Sequence, residues 1–286
     1  MDDRISNLTS PMIENILCLV PIQEAARTSI LSKEWRYHWT KIPKLVINEG
    51  TFQVSPGKGD QHSKRQKLYD AIYQILLQHE GPIHEFTLST YAGDACYEID
   101  RIISHLPFDP IYRKLPLKLG GYTFPISLSP LNQLTDLYLS RCFLNYQSAF
   151  NGFGSLTNLY MKDVYTSKRM LLHLLSNSPL IKSLTLNIGN GHLQENPERD
   201  SVAIEDLSDI SLEHLTELEI RNLTNRKCEL DFVKLVLAKC CVLKKVNILL
   251  YNKVDKYVKL QILGILLSSP RASLGVEIIC KRDQKC

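Results

Sequence analysis

Apolar positions along this chain recur with two different periods. Through residues 1–47 the period is helical. Ile13, Ile16, Leu17 and Val20 follow Ser10 and Pro11 at steps of three and four, which places them on one helix face. Ser10 is the expected cap, and Pro11 takes the first turn, where a missing N–H costs nothing. Pro21 is expected to end this helix. A second short helix is predicted over about Gln23 to Ile30, with Ala25 and Ala26 permitting close approach. A third, capped by Ser32, carries both tryptophans of the chain, Trp35 and Trp39, on one face and stops before Pro43. Two large aromatics bury much apolar area in few residues. Three helices in about 45 residues still make a small core, so the segment should lean on the rest of the chain or on a partner.

Residues 48–82 read as a linker and a connecting helix. Ser55-Pro56-Gly57-Lys58-Gly59-Asp60 has no periodicity and is rich in turn formers. Leu68, Ile72, Ile75 and Leu76 then mark one face of a helix that Gly81 and Pro82 stop.

From residue 83 onward the period shortens to two, and one phrase recurs: an apolar residue, two or three others, then L-x-L. Clear copies start at Leu134, Leu156, Ile181, Leu215 and Leu243, with weaker ones around Ile83 and Leu115. Steps of 22, 22, 25, 34 and 28 residues separate Leu115, Leu137, Leu159, Leu184, Leu218 and Val246. The first three steps fit a leucine-rich repeat. The longest holds a polar insert, Gly189 to Glu205, with Asn190-Gly191 and Asn196-Pro197 as turn signals. Each phrase predicts a short strand that buries alternate residues, and stacked strands of this kind form a parallel sheet. The segments between them look helical. Met170, Leu171, Leu174 and Leu175 follow Ser167 as a cap, Val233, Val236, Leu237 and Cys240 follow Asp231 as another, and Ile262, Ile265 and Leu266 precede Pro270.

The predicted fold is therefore α/β. It consists of an N-terminal three-helix segment followed by an irregular leucine-rich-repeat solenoid with parallel strands and helical return segments, over residues 83–286. The leucines point inward, so the residues between them form an open face. Tyr138, Tyr160, Thr185, Glu219 and Asn247 lead it, followed by Ser140, Lys162, Asn187, Arg221 and Leu249. Tyr138 and Tyr160 are expected about 5 Å apart on adjacent strands, beside Lys162. Tyrosine and arginine are over-represented among residues that dominate binding energy. Tyr138, Tyr160, Lys162, Glu219 and Arg221 are thus the candidate contacts for a binding partner. β-propensity alone would also place tyrosines there.

Composition narrows the chemistry. The 286 residues are 44% hydrophobic and 22% charged with net charge +4, ordinary for a globular protein. No charge cluster points to nucleic acid, no apolar run reaches a membrane span, and the N-terminus does not read as a secretory signal. The eight cysteines form no C-x-x-C and no zinc ladder with histidine, so they are expected as reduced thiols of the nucleus or cytoplasm. Cys240-Cys241 lies near Lys239 and Lys244, which could activate a thiol, but its place before a buried strand favours packing. No nucleophile, phosphate-loop, metal or dinucleotide motif is present, so no catalytic residue, cofactor or metal is expected.

The first 47 residues resemble a plant F-box. The resemblance is carried by Asp3-Arg4-Ile5-Ser6-Asn7-Leu8, Ile16-Leu17, Val20-Pro21, the run Glu24 to Arg36, Trp39 and Pro43. With the repeats, and with Ser268 to Ser273 before the apolar Val276-Glu277-Ile278-Ile279, nearly the whole chain is similar to plant F-box/FBD/leucine-rich-repeat proteins. The resemblance implies a substrate receptor of an SCF-type cullin–RING ubiquitin ligase. Its F-box would hold a Skp-type adaptor, and through it the cullin and RING subunits. Its repeats would hold an unknown protein substrate. Carried over by position, Leu8, Ile13, Ile16, Leu17, Pro21, Ala25, Leu31, Trp35 and Trp39 build the F-box core or meet the adaptor. Thr9 stands where the family commonly has proline, and Ile22 where a serine or threonine is usual. These departures favour the other reading, a leucine-rich-repeat scaffold with a degenerate F-box that binds a partner without ubiquitylation. A hidden α/β enzyme is a third reading with no motif behind it.

Overall fold

The computed structural model describes residues 8–33, 35–50, 61–91, 96–106, 114–125, 133–146, 150–189, 193–194 and 212–282. It is a mixed α/β chain with parallel strands, in two compact units that divide after Gly120. Among the described residues no helix is long and apolar enough to cross a membrane.

The first unit opens with α1 (Ser10–Leu17) and α2 (Ile22–Arg27), then two 3₁₀ segments, Thr28–Ile30 and Trp35–Lys41. The three helices expected are thus two α-helices and two 3₁₀ turns. The tryptophan segment is only seven residues long and consists mostly of aromatic and β-branched side chains. Such residues lose rotamer freedom in an α-helix, and 3₁₀ geometry suits short pieces. Ser32 does cap it: its hydroxyl accepts the Trp35 N–H at 3.2 Å. Ser10 is not a cap. Thr9 holds that position through its carbonyl, which accepts from Met12 and Ile13, with no side-chain bond. Pro21 starts α2 and does not end α1, which stops at Leu17; the Pro21 carbonyl accepts from Glu24 and Ala25.

Three parallel strands follow: β1 (Lys44–Asn48), β2 (Glu85–Tyr91) and β3 (Lys114–Gly120). Leu45 pairs with Phe86, Ile47 with Leu88, and Leu88 with Leu117, and all five are buried. α3 (Gln61–Gln78) packs Leu68, Ile72 and Leu76 inward as expected, with Tyr69 in place of Ile75. α4 (Cys96–Ser104) was not foreseen, although Ile99, Ile102 and Ile103 are buried at helical spacing. The turn formers Ser55 to Asp60 lie outside the described residues.

The second unit contains β4 (Asp136–Ser140), β5 (Phe143–Leu144), β6 (Asn158–Lys162), β7 (Tyr165–Ser167), α5 (Lys168–Ser176), β8 (Ser183–Asn187), β9 (Leu193–Gln194), β10 (Glu217–Leu223), α6 (Lys227–Lys239), β11 (Lys245–Leu250), α7 (Lys256–Ser268) and β12 (Glu277–Arg282). β4, β6, β8, β10, β11 and β12 stand side by side, all parallel. Their register matches the repeats: Leu137 pairs with Leu159, Leu159 with Leu184, Leu184 with Leu218, Leu218 with Val246 and Val246 with Ile278. The first five residues of that row are at most 2% exposed. β5, β7 and β9 form a second, smaller parallel sheet that the repeats did not predict. Of the expected insert, residues 190–192 and 195–205 lie outside the described residues.

Left-handed residues mark several strand ends. Arg141, Asp163 and Asn222 have φ of 59°, 52° and 58°, and the residues after them, Cys142, Val164 and Leu223, are buried. The left-handed step costs a non-glycine residue roughly 1–2 kcal/mol. It re-aims the chain so that a further side chain enters the core, and burial of that side chain offsets the cost.

Of the expected caps, Ser167 accepts the Met170 N–H at 3.1 Å and opens α5. Asp231 is not a cap, because α6 begins at Lys227 and encloses it. Glu229, only 1% exposed, turns back instead and accepts both the N–H and the hydroxyl of Thr224, at 2.8 and 2.9 Å. α7 is capped by Asp255, which accepts the Val258 N–H at 2.7 Å.

Candidate protein-binding surfaces

In the first unit the structure sorts the F-box positions by burial. Ile13, Leu17, Ala25, Trp35 and Trp39 form the core, and Leu8 is half-buried. Ile16, Pro21 and Leu31 are exposed. Val20, expected on the first helix face, is exposed with them, as are Met12, Leu19, Ile30 and Tyr37, with Leu19 at 85% and Ile30 at 87%. Seven of the nineteen large hydrophobics exposed among the described residues thus fall between residues 12 and 37. This concentration is the candidate protein-binding surface of the first unit. Sequence spacing could not make this separation, because core and surface positions share one apolar stripe on α1.

In the second unit the expected open face is present. The rings of Tyr138 and Tyr160 stack with centroids 4.4 Å apart and planes 7° from parallel. Burial, and then the neighbouring Tyr160, raise the Tyr138 pKa above the ordinary tyrosine range. In the same row stand Thr185, Glu219, Asn247 and Ile279, all half-buried. The next row holds Lys162, Asn187, Arg221 and Leu249. Ser140, expected outward in that row, is buried at 4%; the left-handed Arg141 that follows bends the strand end there. Arg221 forms an ion pair with Glu219 on its own strand. Asn222 donates to the Asn187 side chain at 2.8 Å. Aromatic, cationic and amide groups thus share one face, with Tyr138, Tyr160 and Lys162 together at one end and Glu219 with Arg221 two strands on.

Of the thiols expected to pack, Cys142 and Cys240 are buried, while Cys241 is exposed. Burial raises the Cys142 pKa to about 12 and that of Cys240 to about 11, and Cys240 donates to the Leu215 carbonyl at 2.9 Å. His79 and His173 each bond a backbone carbonyl, of Ile42 at 2.9 Å and of Phe150 at 3.0 Å. These groups tie segments together.

The F-box domain family model matches residues 5–46, covering α1, α2, both 3₁₀ segments and the start of β1. The FBD model matches residues 211–248, which take in β10, α6 and most of β11. An F-box/FBD/LRR-repeat protein of Arabidopsis thaliana is 36% identical over 65% of this chain and 44% of its own length. The chain carries matches to the F-box and FBD domains and is similar to plant F-box/FBD/LRR-repeat proteins. An Arabidopsis F-box/LRR-repeat protein is 30% identical over 65% of this chain and 37% of its own. Another F-box/FBD/LRR-repeat protein is 26% identical over 77% of this chain and 48% of its own. The chain therefore spans under half the length of these curated relatives. The FBD match ends before Ser268 to Ile279, the residues that suggested this family at the chain's end.

Proposed function

We propose that this chain is the substrate-recognition subunit of an SCF-type ubiquitin ligase. F-box proteins generally act in such ligases. In this reading the exposed side chains between Met12 and Tyr37 bind a Skp-type adaptor, which brings the cullin and RING subunits. The second unit serves as an irregular leucine-rich-repeat solenoid whose open face, led by Tyr138 and Tyr160, holds a protein substrate. The observation that carries the proposal is the exposure of Ile16, Leu19, Ile30 and Leu31 around a core sealed by Trp35 and Trp39. The mechanism is positioning. A receptor that binds both substrate and adaptor raises the effective concentration of a substrate lysine near a charged enzyme. The bond-making chemistry resides in other subunits, so no group of this chain needs to be catalytic, and the nucleus and cytoplasm are the compartments that suit it.

The two departures from the family pattern are absorbed by the fold. Thr9 starts α1 through its carbonyl, and Ile22 is buried at 2%. Neither removes an exposed apolar side chain, so the degenerate-scaffold reading gains nothing from them. The test is affinity purification of the full chain from plant cells with mass spectrometry. A Skp-type adaptor and a cullin are expected; their absence, with the chain folded and soluble, refutes the proposal. Deleting residues 1–47 would be a poor control, because β1 runs to Asn48 and pairs with β2. Point variants on the exposed face are the sounder choice.

A further inference from the structure

The aromatic row on the open face of the second unit contains a seat. Tyr138 and Tyr160 are register partners on β4 and β6, and their ring centroids lie 4.4 Å apart, close to one strand spacing. The rings therefore stand side by side across the strands. Tyr138 covers one face of Tyr160, and the other face looks along the row to Thr185 on β8. A threonine is too short to cover a tyrosine ring. Beyond Thr185 stands Glu219 of β10, which forms an ion pair with Arg221. Two strand spacings, about 9.6 Å, separate the columns of Tyr160 and Glu219. A planar ring packed about 3.5–4 Å from the atoms on each side needs about 7–8 Å. The next row toward the strand ends carries the donors. Lys162 is half-buried and has no ion pair among the described residues. The Asn187 Oδ1 accepts from Asn222 at 2.8 Å, which leaves the Asn187 Nδ2 as a donor. The row on the opposite side of the tyrosines holds Asp136 and Glu217, of the other charge.

We propose that this face takes a protein segment presenting an aromatic side chain and, one row on, a carboxylate. The ring seats over Thr185, between Tyr160 and the Glu219–Arg221 pair, and the carboxylate meets Lys162 and Asn187. The seat offers such a ring the π-face of Tyr160 and the guanidinium of Arg221. Glu219 holds Arg221 in advance, so less side-chain entropy is lost on binding. An aliphatic side chain gains the apolar contact but neither of the ring interactions. Charge sets the second half of the motif. Glu219 already offsets Arg221, so Lys162 is the uncompensated cation of the two. One cation matches a singly charged carboxylate, whereas a phosphate brings about 1.5 to 2 negative charges. Asp136 and Glu217 repel an acid on their side, which fixes the direction in which the segment lies. The two rows are two residues apart, about 6.6 Å, so side chains at i and i+2 of an extended segment reach both. This inference rests on the reading of the open face as the substrate surface, and it names what that substrate carries.

The test is calorimetric titration of the full chain with unlabelled, end-capped peptides of sequence Ser-Glu-Gly-Xaa-Gly-Glu-Ser. Tryptophan or tyrosine at Xaa should bind about tenfold tighter than alanine, with leucine between them. Lysine in place of both glutamates should weaken binding about tenfold, and phosphoserine in their place should not tighten it. Thr185→Trp fills the seat and should abolish the aromatic preference with an unchanged melting curve. Asn247→Trp, two strands away in the same row, should keep it. Lys162→Glu should reverse the charge preference, and it decides the matter by itself if Thr185→Trp does not fold. No adaptor takes part in this titration, so a failed panel overturns the inference and leaves the ubiquitin-ligase reading to the purification above. No preference for a ring, a preference that survives Thr185→Trp, binding that requires phosphoserine, or a charge preference unmoved by Lys162→Glu overturns the proposal.

Discussion

The F-box surface yields a separation of binding from folding. Leu19 and Ile30 are 85% and 87% exposed, so replacing both by aspartate removes almost no packing. Changes at such sites usually alter stability by no more than about 0.5 kcal/mol. Binding is another matter. Burying one leucine or isoleucine side chain is worth about 1.5–3 kcal/mol. Losing both, and setting carboxylates against an apolar partner surface, should cost at least about 3 kcal/mol, more than a hundredfold in Kd. Trp39→Ala is the converse. Trp39 is 8% exposed, and truncating a core aromatic costs about 3–5 kcal/mol of stability. It should lose the adaptor because the segment unfolds, and its melting curve should report that directly. The assay is calorimetric titration with a Skp-type adaptor beside thermal melting of each variant. If the Leu19→Asp, Ile30→Asp double variant melts as wild type and binds within about threefold, the exposed side chains are not the adaptor surface.

Three further outcomes are expected. Tyr138→Ala with Tyr160→Ala should weaken capture of a substrate by about 2 kcal/mol or more and leave adaptor binding unchanged, read by co-precipitation and titration. Gly152→Ala should destabilise the second unit by about 3 kcal/mol or more, read from the urea midpoint; Gly152 has φ +83°, and a Cβ there would lie 1.5 Å from the Asn177 carbonyl oxygen. The first unit should lose stability on the acid side in two stages, followed by melting temperature against pH. Burial holds the His79 pKa below its ordinary 6.5, so its contribution is complete above that value and fades as pH falls through the folded one. Burial alone would raise the Glu49 pKa, but the Tyr91 N–H, the Thr90 hydroxyl and Arg65 bring it below 4.5, so its contribution fades lower still. His79→Gln should remove the first stage only.

What the sequence made legible, and what it did not, follows from how local each signal is. The repeat leucines were legible because a strand admits only two faces, and a slip of one residue exposes every leucine. The residues equated along the chain from Leu137 to Val246 became direct partners in the sheet. Helix starts were less legible, because several residues near each start can bond a free N–H. Ser10 and Asp231 have the right chemistry, yet Thr9 and the helix start before Lys227 won on backbone geometry. β1 was hidden for another reason. Its alternation, with Leu45 and Ile47 buried and Lys44, Val46 and Asn48 exposed, runs on directly from the tryptophan segment with only Ile42-Pro43 between.

The F-box stripe was legible as a stripe, but not in its division. Ile13 and Leu17 are four apart and buried, while Ile16 and Val20 are four apart and exposed. Ile13, Ile16 and Leu17 share one helix that ends at Leu17, Val20 stands in the turn beyond it, and no spacing rule ranks them. Their apolar character exceeds what the small core behind α1 can cover. That surplus is the physical content of the sequence expectation that this segment leans on something outside itself. Ile16 on that helix, and Leu19 and Val20 in the turn after it, add nothing to the fold's own stability in water, because each gains only when a second surface removes it from solvent.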